Sequence, residues 1–197
     1  MASFRRRVVE AAVRALRSGG LVALPTETYF ALAADALSEA ALARLYEVKG
    51  RAAAQTLSVL IDGPGMLATL VREVPPAAQK LIDAHWPGAL TIALPARAGL
   101  PAAIVSERGL VAVRWSPAAM PCAVVRVLGR PITATSANKS GAPPVRTADE
   151  ARAALGDAVH VMAGESPGGP PSTLVAVEGD RVELLRAGAI DFAALAR

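Results

Sequence analysis

Residues 131–144 read PITATSANKSGAPP. A short apolar run over residues 132–135 has the look of a strand. It opens into Thr135, Ser136, Asn138 and Ser140, then into Gly141 and two prolines. Before it, residues 117–128 (PAAMPCAVVRVL) carry apolar positions at helical spacing and end at Gly129. A helix, then a short buried strand, then a cluster of small hydrogen-bonding side chains is an α/β arrangement with a site beyond the strand end. Hydroxyls, an amide and a glycine let backbone N–H groups approach a phosphate closely. The spacing is not that of a Walker A loop, and no GxGxxG occurs in the chain.

Outward from this stretch the same alternation continues. Helices are predicted over residues 4–17, 38–48, 76–85 and 147–155, with Ser38 as a cap. Strands are predicted over 21–24, 57–61, 90–94, 110–115, 159–162, 173–177 and 182–185. Most are apolar on both faces, as in a sheet covered by helices. The expectation is an α/β fold: a single-domain twisted mixed sheet over residues 1–197, with flanking helices and a basic concave groove. The stretch GESPGGPPST, residues 164–173, is expected to be a mobile surface loop near a site.

Composition narrows the possibilities. The 197 residues are 53% hydrophobic but only 4% aromatic, so the core is built from Ala, Val, Leu and Ile. Mean hydropathy is +0.38, yet no apolar run of about 18 residues escapes charge or proline. The reading is a cytoplasmic protein with no membrane span. The one cysteine, Cys122, allows no internal disulfide and is expected as a buried structural thiol. One cysteine and two histidines, His85 and His160, make a structural zinc site improbable. The net charge of +4 and pI of about 9.8 suit a polyanion or a phosphate-bearing small ligand, or merely reflect an arginine-rich composition.

Polar residues gather after several other strands. Pro25-Thr26-Glu27-Thr28 follows residues 21–24, and is either a capped turn or a grip on a small polar substrate. Lys49-Gly50-Arg51 ends a helix; its cations either favour the helix C-terminus or meet phosphate oxygens. Arg114 lies inside the apolar strand LVAVRW, where a charge is costly unless paired. It needs either an acidic partner in the core or an anionic ligand. Ser172 enters a strand in PPSTLVAV, and Arg186 precedes a glycine turn in LLRAGAI. Hydroxyls plus cations position phosphates and stabilise their charge; they do not suggest covalent catalysis.

Taken in order, PTET, KGR, WPGxLT, VAVR, TSANxSG, PSTLV and LLRAG resemble the motifs of the YrdC/TsaC family, the threonylcarbamoyl-AMP synthases. TSANKSG is the most specific of the seven. The resemblance covers nearly the whole chain and looks like the family's short form, without an extra C-terminal domain. It implies condensation of L-threonine, bicarbonate and ATP, with Mg²⁺ accompanying the nucleotide, to threonylcarbamoyl-AMP and pyrophosphate. The product would serve modification of adenosine 37 in tRNA, with tRNA or downstream tRNA-modification proteins as partners. It also implies roles for residues. Lys49 and Arg51 would be catalytic and face the ATP phosphates. Thr135, Ser136, Asn138 and Arg186 would hold the nucleotide. Thr26, Tyr29, Arg114 and Ser172 would hold threonine, with Arg114 on its carboxylate.

The chain departs from the family pattern at Tyr29-Phe30-Ala31, where the family reads VYG. A glycine lost at 31 matters if that position needs φ > 0. Prolines are also replaced at Ala52, Thr56 and Ala89. The alternatives are a divergent paralogue using adenylating or carbamoyl chemistry on another small substrate, and a double-stranded RNA or tRNA-binding module.

Overall fold

The computed structural model describes residues 2–50 and 55–195, and the side chains from residue 5 onward. The helices are α1 (Ala2–Arg17), α2 (Glu39–Lys49), α3 (Pro76–His85), α4 (Ala119–Leu128), α5 (Ala148–Leu155) and the short α6 (Phe192–Leu195). The strands are β1 (Leu21–Leu24), β2 (Ala31–Ala33), β3 (Val59–Ile61), β4 (Leu90–Pro95), β5 (Leu110–Trp115), β6 (Ile132–Thr133), β7 (Thr135–Ser136), β8 (Val159–Val161), β9 (Thr173–Glu178) and β10 (Arg181–Arg186).

The α/β expectation holds, but the strands form two mixed sheets. One has the order β7-β2-β1-β8, the other β10-β9-β4-β5-β3-β6. The predicted strand 132–135 is the point of division. Ile132 and Thr133 pair antiparallel with β3 of the larger sheet, while Thr135 and Ser136 pair with β2 of the smaller one. Between them Ala134 donates its N–H to the Ser58 carbonyl at 2.8 Å, and Thr133 donates to the Ala34 carbonyl at 2.9 Å. The chain therefore crosses from one sheet to the other within a few residues.

Why the strands are apolar on both faces is visible in β1. Leu21 and Ala23 enter the main core with Phe30, Leu32, Val59, Ile92, Val113 and Val175. Val22 and Leu24 face the other way, into a second core with Val9, Val13 and Leu16 of α1 and Val124, Val125 and Leu128 of α4. Period-two alternation thus sends neighbours to different layers. Burying one such Leu or Val contributes about 1.5–3 kcal/mol, so both faces are committed.

Local signals set the helix ends. Ser38 accepts from the Ala41 N–H at 3.4 Å, and Gly50 closes α2 in the left-handed region at φ 59. Thr147 and Glu150 form a reciprocal capping box at the start of α5. Two other expectations shift. Cys122 is half-buried rather than buried. Ala31 is a regular strand residue, and no described non-glycine residue has positive φ, so the family's glycine there is not replaced at a strained position. Among the described residues no helix is long and apolar enough to cross a membrane.

Candidate functional site

A cavity of about 740 Å³ opens where the two sheets meet. It is lined by every predicted site residue that the structure describes: Lys49, Thr135, Ser136, Asn138 and Arg186 from one set, and Thr26, Tyr29, Arg114 and Ser172 from the other. Arg51 lies outside the described residues.

The turn after β7 is held from beneath by Lys49. Its Nζ donates to the carbonyl oxygens of Ser136 (2.6 Å) and Asn138 (2.9 Å) and to Asn138 Oδ1 (3.4 Å). Lys49 is 3% exposed. An ammonium out of water needs its hydrogens matched, and charge-assisted bonds of this kind contribute about 1.5–3 kcal/mol each. The Ser136 hydroxyl donates to Asn138 Oδ1, and Asn138 Nδ2 donates to the Ala142 carbonyl. Lys139 Nζ reaches back to the Val48 carbonyl at the end of α2 (2.5 Å). So Lys49 borders the cavity, as a phosphate-facing residue would, but its Nζ is also spent on shaping the loop. The helix-end reading of Lys-Gly-Arg and the site reading both have a share in it.

The opposite wall is built on β5 and the loop after β1. Arg114 is 7% exposed and donates through Nη1 to Glu27 Oε1. Glu27 Oε2 accepts from the Ser116 hydroxyl. Of the two readings of Arg114, the acidic partner is present. Burial pushes the Arg114 guanidinium down from its ordinary value; Glu27 pulls it back up, and the charge of Arg186 adds to the fall. Arg186 is itself pushed down by desolvation. Its Nη2 donates to the Ser172 carbonyl (2.9 Å) and hydroxyl (3.2 Å), and Ser172 shares a hydrogen bond of 2.8 Å with Thr91. Gly188 makes this turn possible: a Cβ there would lie 2.3 Å from the Pro171 carbonyl oxygen and 2.4 Å from the Thr173 nitrogen.

Thr26 is a structural knot as well as a wall. Its hydroxyl donates to the Tyr29 carbonyl at 2.7 Å and accepts from the Thr28 N–H. Its own N–H donates to the fully buried Ser166 hydroxyl. Gly168 donates to the Thr28 carbonyl at 2.7 Å, the Ser166 N–H donates to the Arg146 carbonyl at 2.8 Å, and Arg146 Nε donates back to the Ser166 carbonyl at 3.2 Å. The 164–173 loop expected to be mobile is tied to residues 26–28 by these hydrogen bonds, and it lines the cavity through Gly169 and Pro171.

Sequence reasoning left Thr91 and Ser116 without a role, and Glu27 without its partner. Thr91 is the threonine of WPGxLT, a motif that was visible without its role. Glu27 was part of PTET but no partner for it could be read. Ser116 gave no signal at all.

Comparison with known proteins now bears on this geometry. A family model, Sua5/YciO/YrdC, described as telomere recombination, matches residues 14–188. A Mycobacterium tuberculosis relative is 35% identical over 188 residues, covering 94% of this chain and 86% of that one. The threonylcarbamoyl-AMP synthase of Thiobacillus denitrificans is 36% identical over 161 residues, covering 81% of this chain and 86% of that protein. The crystal structure of Pyrococcus abyssi Sua5 complexed with L-threonine superposes with a TM-score of 0.87 at 34% identity, over 93% of this chain. That protein is longer, and the chain spans 54% of it. With its fold, its seven motifs and these matches, the chain belongs to the Sua5/YciO/YrdC family.

Proposed function

We propose that this chain is an L-threonylcarbamoyladenylate synthase, a nucleotidyltransferase that condenses L-threonine, bicarbonate and ATP. The observation that carries the reading is the meeting, in one cavity, of a small-residue turn at Thr135–Asn138 with the cations Lys49 and Arg186, and the buried guanidinium of Arg114. The first suits a nucleotide, the second a carboxylate. The naming of the relatives as threonylcarbamoyl-AMP synthases supports it further.

In this reading Arg114 takes the threonine carboxylate, with Thr26, Tyr29 and Ser172 around the rest of the amino acid. The Thr135–Asn138 turn takes the nucleotide. Threonine's ammonium loses a proton, its nitrogen joins the carbon of bicarbonate, and water leaves to give the carbamate. A carbamate oxygen attacks the α-phosphorus of ATP, the bond to the β-phosphate bridge breaks, and pyrophosphate departs. Lys49, Arg51 and Arg186 supply positive charge where the phosphates build negative charge. Proximity within a recessed cavity does the rest, since the carbamate is labile in water. Mg²⁺ enters with ATP as part of the substrate. Among the described residues no three of His, Cys, Asp or Glu group as a metal site. Action as one domain in the cytoplasm, and onward transfer of the product to tRNA by other proteins, belong to the same proposal.

The test is pyrophosphate release from ATP and bicarbonate with L-threonine, serine, glycine or no amino acid. Strict dependence on threonine and bicarbonate is expected. Turnover with another amine in preference to threonine would favour the paralogue reading instead.

A further inference from the structure

Arg114 is buried, yet only one of its guanidinium nitrogens is matched. Nη1 meets Glu27; among the described residues neither Nη2 nor Nε has a hydrogen-bond acceptor. Unmatched buried donors on a cation are costly, and they imply a ligand acceptor. Arg114 borders the cavity, whereas Glu27 and Ser116 do not. The carboxylate thus stands behind the guanidinium, away from the ligand space.

The manner of the pairing matters. A carboxylate alone with an arginine tends to take it fork to fork, both oxygens on two nitrogens. Here the two oxygens are divided: Oε1 accepts from Arg114 Nη1 and Oε2 accepts from the Ser116 hydroxyl. Ser116 Oγ is fixed in turn by the Ala118 N–H at 3.1 Å. Glu27 therefore grips one edge of Arg114 and leaves the other edge open. Charge points the same way. Arg114 and Arg186 feel each other's charge, and Glu27 offsets one of the two positive charges.

We infer that Glu27 is a positioning residue for carboxylate recognition: braced by Ser116, it holds Arg114 from behind so that the open guanidinium edge reads a monocarboxylate in the cavity. This rests on the synthase reading only for the identity of that monocarboxylate, L-threonine.

The test compares binding of L-threonine and L-threoninamide, which lacks the carboxylate charge, to wild type and to Glu27→Gln by calorimetry. Loss of the charged brace is expected to weaken threonine about tenfold, while threoninamide and ATP stay within about twofold. In turnover, the threonine KM rises with little change in kcat. Ser116→Ala, which keeps both charges, is expected to move threonine in the same direction by a smaller factor, and it tests the idea if Glu27→Gln fails to fold. Equal weakening of threonine and threoninamide, or no change in either, overturns the inference. So does a wild type that does not distinguish the two. A wild type that prefers threonine to its amide but releases no pyrophosphate sinks the synthase reading and leaves the role of Glu27 standing.

Discussion

The two walls of the cavity solve the problem of buried polarity in opposite ways. On the Ser136–Asn138 side every strong group is matched within the protein: Lys49 to two carbonyls and an amide oxygen, Ser136 to Asn138, Asn138 to Ala142. On the Arg114 side, among the described residues, Nη2 and Nε have no acceptor. The first wall is finished before any ligand arrives and offers shape, backbone and small hydroxyls. The second wall, on the synthase reading, is completed by its ligand. A closed network specifies geometry; an open one specifies chemistry.

Substitutions can break this contrast. Arg114→Ala removes the open edge altogether. It is expected to raise the threonine KM about 100-fold, as truncating a buried charge pair does, while leaving ATP affinity within about twofold. Steady-state pyrophosphate release at varied threonine and at varied ATP would separate the two. Asn138→Ala attacks the closed wall. It orphans Lys49 Nζ in part and frees the Ser136 hydroxyl, so ATP affinity should fall about tenfold and the melting temperature should drop too. A fall in threonine affinity alone would contradict the division of labour between the walls.

Gly188→Ala sharpens the contrast from the scaffold side. The new Cβ would meet backbone atoms at 2.3–2.5 Å, and the Pro171–Thr173 segment must move. Overpacking of this kind costs about 1–3 kcal/mol, visible as a lower melting temperature, with a rise in threonine KM as Ser172 leaves Arg186 and Thr91. The mildest probe is Cys122, whose Sγ lies 3.0 Å from the Ser116 carbonyl behind the open wall. Burial pushes its thiol up from the ordinary value, so the thiolate fraction at neutral pH is small. Alkylation by iodoacetamide should be slower than that of free cysteine at pH 7 and should accelerate as pH rises past the usual thiol range.

Much of this was legible in the chain and some was not, for physical reasons. Helix α3 and strand β5 coincide with the spans read from periodicity, and Ser38 caps the helix it was assigned, because these are local properties. The site residues were legible through resemblance: the nine that can be placed do line one cavity. What failed was non-local. Residues 132–135 look like one strand, since nothing in four residues says that two different sheets bind their two ends. Glu27 and Ser116 lie 89 positions apart, and no spacing rule spans that. The glycine-rich 164–173 loop looked mobile because composition reports freedom, whereas its hydrogen bonds to residues 26–28 and 146 report tethering.

The crossing segment has a mechanical meaning. Thr133 is stitched to the larger sheet and Ser136 to the smaller one, and the turn that follows hangs directly from that crossing. Any molecule seated on Ser136 and Asn138 therefore rests beside the segment that joins the two halves of the scaffold. Occupancy would act as a cross-brace: amide hydrogens of β2 and β3, on either side of the seam, should exchange more slowly together when nucleotide is bound, and the force needed to part the sheets should rise.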